Sequence, residues 1–348
     1  MAVRWVQGYA PAVGSSDNPG ILQALAKAIT NSATDTKWNL HYPTNFTDID
    51  DLFALVHTVG TKTVYIEFRR PDKIEDQDNS ANNYFFIEIR FGTNYTSPTA
   101  TTDQPTPAGV WGADSGSVRS RFAWFKSNTS AYVRGWLPVQ YWLSIQDDTI
   151  AIILAGDASA GSNDRLVSFG YIGALKLFKD DVGTNPDTNF GVNVSSDISP
   201  LDYLSDDELK CYGDNTGNGV IDITMIQTFT GFPMQAHYPA FTATDEFINK
   251  QLDGPSVYTN KYHMSPVYVF HMYGGYRGEL KGVVATDRSS LVNLDEMIYE
   301  YNSTNASSTT PDTKDTYKVF LVNAPYSILN NSNDVLYGIA ILKDSTAI

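Results

Sequence analysis

The chain has one cysteine, Cys211, in 348 residues. A single thiol closes no internal disulfide, and a zinc site built from several cysteines is excluded. Long apolar runs are missing too. No stretch approaches the roughly 18 apolar residues that cross a bilayer as a helix. The opening Met1-Ala2-Val3-Arg4-Trp5-Val6-Gln7-Gly8-Tyr9 has no apolar signal-peptide core. The expectation is synthesis in a reducing cytoplasm without a cleaved export signal. Positive charge is scarce: 24 Lys and Arg stand against 39 Asp and Glu, for a formal charge of −15. Phosphate backbones are gripped by clustered Lys and Arg, and anionic membrane surfaces by basic segments. Neither nucleic acid nor a membrane is therefore an expected partner. The acidic balance serves solubility. Catalytic signatures are missing as well: no Gly-x-Ser-x-Gly, no phosphate-binding loop ending in Lys-Ser/Thr, no His-Glu-x-x-His. There is no internal repeat and no heptad pattern.

What is present is β-forming. The chain holds 21 Tyr and 17 Phe, with 42% apolar residues overall. Such a sequence, rich also in Thr and Asn and with few long helical runs, favours sheets. The strongest signal runs from Tyr141 to Phe178. Tyr141, Leu143 and Ile145 alternate with Trp142 and Ser144, the period of a strand. Gln146-Asp147-Asp148 is a connection of hairpin length. Ile150 to Ala155 is apolar at almost every position, as in a strand covered on both faces. Val167, Phe169, Tyr171 and Leu175 then share one side of a third strand, which predicts an antiparallel meander.

The rest is read around that core. Residues 1–17 are an extended arm with Val3, Trp5, Val6 and Tyr9. Free, it would be poorly solvated; the expectation is that it docks on a neighbouring subunit. Asn18-Pro19 starts a helix, Asn as cap and Pro at the first helical position. Ile21, Leu22, Leu25 and Ile29 fall on one helical face, and the helix ends near Asn31. Asp48 to Val59 reads as a second short helix capped by Asp48, with Ile49, Leu52, Phe53 and Val56 on one side. Thr63–Arg69 and Tyr84–Phe91 are strands, with a further one at Arg121–Phe125. Thr93 to Gly109 is a long Thr/Pro loop. The turn cluster at Tyr212–Gly219 marks a boundary between an N-terminal α+β domain, 1–212, and a C-terminal β-rich domain, 213–348. Beyond it, Val220–Phe229, Val267–Met272, Glu279–Ala285, Tyr317–Val322 and Tyr337–Leu342 are strands. Gly274-Gly275 is a favoured hairpin turn. Ser303 to Lys314 is an exposed loop. The fold class expected is mainly β (α+β): antiparallel sheets in a sandwich- or barrel-like arrangement, with one or two short helices near the N-terminus.

Candidate chemistry is thin. The histidines are His41, His57, His237, His263 and His271; exposed or hydrogen-bonded rings are the expectation, not metal ligands. Asp147-Asp148, Asp180-Asp181 and Asp206-Asp207-Glu208 resemble acid/base pairs. All lie in turn-like surroundings, where Asp bonds its own backbone. Asp214-Asn-Thr-Gly-Asn-Gly-Val-Ile-Asp222 partly matches a calcium loop through Asp214, Thr216, Asn218 and Asp222. Thr216 and Met225 stand where stronger ligands belong, so a plain turn without structural calcium is expected. Trp124, Trp136, Tyr141 and Trp142 fit a sugar platform, but a sheet core accounts for them more simply. No catalytic, cofactor-binding or metal residue is assigned, no cofactor is expected, and hydrolase activity is not expected.

Several segments carry a resemblance. In the first half they are Tyr141-Trp-Leu-Ser-Ile, Ile150-Ala-Ile-Ile-Leu-Ala-Gly-Asp, Phe169-Gly-Tyr-Ile-Gly-Ala-Leu and Asn189-Phe-Gly-Val. Thr228-Phe-Thr-Gly-Phe-Pro-Met-Gln-Ala-His-Tyr-Pro, His263-Met-Ser-Pro-Val-Tyr-Val and Gly275-Tyr-Arg-Gly-Glu-Leu follow in the second. Together they resemble structural proteins of tailed bacteriophages. The resemblance implies a virion component of the tail, neck or baseplate, made in the host bacterial cytoplasm. Its implied partners are other virion proteins and copies of itself. The alternative is a host-receptor or carbohydrate-binding module on the virion surface.

Overall fold

The computed structural model describes residues 3–10, 20–30, 37–49, 52–59, 62–69, 83–92, 95, 120–127, 138–157, 164–165, 167–176, 190–194, 237–239, 264–271, 275–286, 294–304, 310–323 and 336–347. Strands dominate them, as the composition leads one to expect. In chain order the elements are β1 (Arg4–Ala10), α1 (Ile21–Thr30), β2 (Asn39–Tyr42), β3 (Leu52–Val59), β4 (Lys62–Arg69), β5 (Asn83–Gly92), β6 (Ser120–Ser127), β7 (Val139–Ile145), β8 (Thr149–Gly156), β9 (Asp164–Arg165), β10 (Val167–Lys176), β11 (Phe190–Val194), β12 (His237–Pro239), β13 (Met264–His271), β14 (Gly275–Thr286), β15 (Glu296–Tyr301), β16 (Thr313–Asn323) and β17 (Leu336–Ala347). A short 3-10 turn, Phe46–Asp48, precedes β3.

Two antiparallel sheets result. The small one runs β2-β3-β4-β5-β6-β9. The large one runs β1-β7-β8-β10-β14-β17-β16-β15, with β11, β12 and β13 attached off this path. The predicted meander is its centre: β8 pairs with β7 on one side and β10 on the other. Its burial follows the sequence pattern. Ile150, Ile152 and Leu154 enter one core cluster, while Ala151 and Ile153 enter another. An apolar run with no polar face is what a strand covered on both sides requires.

The large sheet curls. Trp142 on β7 and Phe320 on β16 have ring centroids 5.1 Å apart, although β8, β10, β14 and β17 lie between their strands in the hydrogen-bonded order. A flat sheet would hold them roughly 24 Å apart at five strand spacings. The interior face carries Trp5, Trp142, Phe169, Tyr171, Leu280, Val283, Phe320 and Ile341. The curvature has an identifiable device at Gly282, whose φ is 66°. There β14 leaves β10, which it meets at Leu280, and joins β17 from Val283 onward. The extra residue of a bulge shifts the alternation by one, so Leu280 and Val283 point to the same face.

The opposite face of the sheet packs on α1 and the small sheet. Ile21, Leu22, Leu25 and Ile29 of α1 meet Phe53, Leu55, Ile66 and Phe68 of the small sheet and Leu143, Ile152 and Ile172 of the large one in a single cluster. The β10–β14 ladder joins strands from either side of residue 212, and that residue lies outside the described residues.

Two expectations are corrected here. The helix expected over Asp48 to Val59 is instead the 3-10 turn followed by β3. Its apolar spacing suits either structure. Val56, Thr58 and Val59 are β-branched, and unbroken pairing with β4 from Leu52 to Val59 decides for the strand. The Asp48 carboxylate accepts from the Asn45 amide at 3.0 Å instead of capping a helix. Secondly, the N-terminal arm is not free: residues 4–10 are β1, paired along their whole length with β7. Arg4 donates to the carbonyls of Ala28 (2.5 Å) and Ile29, so a cation closes the carbonyl end of α1. The described part of the Ser303–Lys314 loop is exposed at Ser303, Thr304 and Thr310, as expected, gives way to β16 at Thr313, and is ordered by one carboxylate. Asp312 accepts the backbone N–H of Ser303 (2.7 Å) and of Thr304 (3.0 Å) and the hydroxyls of Ser303, Thr304 and Thr313. These bonds hold its pKa well below the usual carboxylate range.

Candidate functional site

Three groups of side chains compete for the role of a site. The first gathers at the β7–β8 turn, where the sequence placed Asp147-Asp148. Asp147 is exposed and faces Lys37 at 3.3 Å, a surface pair of small energetic weight. Asp148 holds the Lys281 ammonium at 2.5 Å. The Lys281 backbone N–H donates to the Tyr171 hydroxyl at 3.1 Å. That hydroxyl donates to the Ala174 carbonyl at 2.5 Å, and the Ala174 N–H donates to the Asp148 carbonyl at 3.0 Å. The circuit ties the β7–β8 turn, β10 and β14 into one knot. Tyr171 is fully buried and its pKa is pushed up by burial. Its hydroxyl both donates and accepts within the fold, an arrangement that locks strands and leaves little for acid/base work. The turn reading of Asp147-Asp148 stands on this geometry.

Beside it, His57 is 2% exposed and stacks on Trp38, centroids 4.1 Å apart and planes 13° from parallel. Its Nδ1 lies 3.1 Å from the Lys37 carbonyl, so the neutral ring donates there. Trp38 Nε1 donates to the Gln146 carbonyl at 3.2 Å. Burial lowers the His57 pKa from 6.5, partly offset by the bond to Lys37 and the nearby Asp148. The neutral ring's contribution to stability is therefore complete above about pH 6.5 and is lost as pH falls through that value towards the depressed folded pKa. Melting temperature is expected to fall between pH 7 and pH 5. His57→Phe should flatten that slope in differential scanning calorimetry. A residue of slope remains because burial also lowers the His41 pKa.

The second group lies on the outer face of the small sheet. His41, Tyr65 and Tyr95 meet edge to face at 4.8 and 5.1 Å, and Tyr65 and Tyr95 stack at 5.8 Å. Tyr95 donates to the carboxylate of buried Glu67 at 3.4 Å. Its pKa is pushed up by burial and then by the Glu67 charge. Tyr95 is the described residue of the predicted Thr93–Gly109 loop, and its ring fills the space between its neighbours.

The third group is the free edges of the large sheet. Among the described residues β1 and β15, the two ends of its main path, each have one hydrogen-bonded neighbour, β7 and β16, as do β11 and β12 off that path. Among the described residues the exposed large apolar side chains are Tyr9, Leu294, Ile298 and Tyr299. Tyr9 is on β1, Ile298 and Tyr299 are on β15, and Leu294 precedes β15 by two residues. Bare edges are normally blunted by Lys, Pro or bulges. Neither β1 nor β15 contains Lys or Pro, and the one cation of β1, Arg4, is turned into α1. On β15, Tyr299 and Tyr301 stack at 5.3 Å. Asp315 pairs with Tyr299 across the ladder and accepts from Ser345 at 2.5 Å. Glu296 is held by Lys343 at 2.6 Å and Lys318 at 3.6 Å.

Of the other sequence candidates, Tyr141 and Trp142 pack in the sheet cores. Trp124 is placed only as backbone of β6. His237 and His271 are cross-strand partners in the β12–β13 ladder. Trp136, His263, Asp180-Asp181, Asp206-Asp207-Glu208 and the 214–222 loop fall outside the described residues. Sequence reasoning missed β15. Its signal was the two-residue period of Met297, Tyr299 and Tyr301 against Glu296, Ile298 and Glu300.

Among the described residues no helix is long and apolar enough to cross a membrane. Compared with known proteins, the chain matches no family model and no curated protein.

Proposed function

We propose that the chain is a non-enzymatic structural subunit that self-associates through the edges of its large sheet, as part of a tailed-bacteriophage virion in the tail, neck or baseplate region. One observation carries the self-association: the exposed large apolar side chains of the described residues lie on the edge strands β1 and β15 and on the approach to β15. Unpaired N–H and C=O groups flanked by apolar side chains are a template for another strand. The virion setting rests on the sequence resemblance alone.

Purified full-length chain is expected to sediment as an oligomer in analytical ultracentrifugation. Ile298→Lys puts a desolvation-averse charge on the edge, and is expected to weaken association at least tenfold while leaving the melting temperature unchanged. A parent chain that is monomeric at all concentrations would sink the self-association. Absence of the protein from purified phage particles by mass spectrometry would sink the virion setting.

A second reading is favoured by the Tyr299–Tyr301 stack beside Asp315. Stacked, part-exposed rings next to a carboxylate suit a neutral sugar. Specific glycan-array binding that disappears with Tyr301→Ala would support a carbohydrate-binding module instead.

A further inference from the structure

We infer that the two edges are made for each other: β1 of one copy pairs with β15 of the next, antiparallel, with Tyr9 opposite Ile298. The inference rests on the reading that this chain self-associates, and names the strands that do it.

The lengths agree, seven residues on β1 and six on β15. The faces agree as well. On β1, Trp5 packs in the interior of the curled sheet and Val6 packs on the outer cluster, so Tyr9 shares the interior face with Trp5 and Gln7. On β15, Met297 packs in the outer cluster that includes Tyr317 and Val319, so Ile298 and Glu300 take the interior face. A continuous sheet then brings Tyr9, 49% exposed, against Ile298, 57% exposed. An aromatic ring beside a β-branched side chain is a favourable cross-strand pair. The same register sets Gln7 opposite Glu300 and Gly8 opposite Tyr299. The space over Gly8 is filled by the Tyr141 ring, so Tyr299 would face that ring.

Charge argues against the symmetric option. In an antiparallel β15–β15 pair centred on Ile298, Glu296 of each copy faces Glu300 of the other. Like charges directly opposite oppose pairing. β1 carries no acidic residue, so β1 against β15 avoids the conflict. Joining unlike edges is a heterologous contact, which builds rings if the rotation closes and filaments if it does not.

The test uses the full-length chain with Cys211→Ser as background, carrying either Gln7→Cys or Glu300→Cys. The two variants carry tags of different mass and are mixed under mild oxidation. Both substituted positions are exposed, and circular dichroism checks that each variant keeps the parent fold. The expected result is a mixed disulfide dimer containing one copy of each, with little product from either variant alone. Carrying both cysteines on one chain should give a ladder of multimers. Self-cross-linking of Glu300→Cys or Gln7→Cys, without the mixed product, overturns the β1–β15 pairing but leaves self-association standing. Oligomers in the ultracentrifuge that never cross-link between these positions overturn it in the same way. Monomers throughout overturn the self-association reading itself.

Discussion

Deleting residues 2–10 is expected to destroy the folded state. A docking arm would leave behind a folded, assembly-deficient protein, and the sequence alone pointed that way. The packing of β1 argues otherwise. Seven consecutive residues pair with β7, Arg4 to Ile145 through Ala10 to Val139. Val6 packs on the cluster that unites α1 with both sheets, Trp5 on the interior cluster, and Ala10 is 2% exposed. Burying a large apolar side chain is worth about 1.5–3 kcal/mol. Losing Arg4 also strips α1 of a charged partner for its last carbonyls, about 1.5–3 kcal/mol for a hydrogen bond to a charged group. Deletion also bares the apolar edge of β7. Against a total stability of about 5–15 kcal/mol, these losses take most of the margin. Circular dichroism and the recovery of soluble protein will check it. A soluble, cooperatively melting truncated chain would show that β1 is dispensable to the core.

Gly173→Ala is the point substitution with the largest expected cost. The residue has φ 142°, where side chains are strained. An added Cβ would sit 2.3 Å from the Asp148 carbonyl oxygen and 2.6 Å from the Thr149 Cα. Both neighbours are backbone at the β7–β8 turn and cannot rotate aside. The Asp148 carbonyl also belongs to the circuit through Ala174, Tyr171 and Lys281. Backbone strain of about 1–3 kcal/mol and overpacking of similar size give an expected loss of about 2–6 kcal/mol. Urea unfolding should show it as a lower midpoint at unchanged slope. Gly8→Ala is the control: its Cβ would meet the Tyr141 ring at 2.2 Å. That neighbour is a side chain that can swing, so the loss should be clearly smaller.

The core of this fold could be read directly from the sequence. The Ile150–Ala155 run and the alternation at Tyr141–Ile145 gave β8 and β7 because their burial is set by their own residue pattern. The same holds for the apolar stripe of α1, Ile21, Leu22, Leu25 and Ile29, all buried. The expected cap Asn18 and Pro19 lie outside the described residues, and the helix starts at Ile21 after Gly20 at φ 41°. β3 was misread because Leu52, Phe53 and Val56 satisfy helical and strand spacing alike, and only β4 breaks the tie. The candidate sites were harder. Tyr95 reaches Glu67 from 28 positions away, and Lys281 reaches Asp148 from 133. No local pattern announces such meetings. The edges were hidden for a different reason. Tyr9 and Ile298 look like any core residue in sequence, and their exposure follows from strand order, which is a property of the whole sheet.

The pairing of β1 with β7 also sets a timetable for synthesis. Arg4 finds Ile145 only after the ribosome has made the intervening chain. At about 5–20 residues per second, that takes on the order of ten to thirty seconds. Throughout this interval the nascent β1 has its tryptophan and valine but no strand to lie against. The helix α1 follows within the first 30 residues, and Arg4 can clasp its last carbonyls long before β7 exists. The clasp would hold the first strand close to the surface it will later complete. Translation speed through residues 30–145 thus becomes a variable in the yield of native protein.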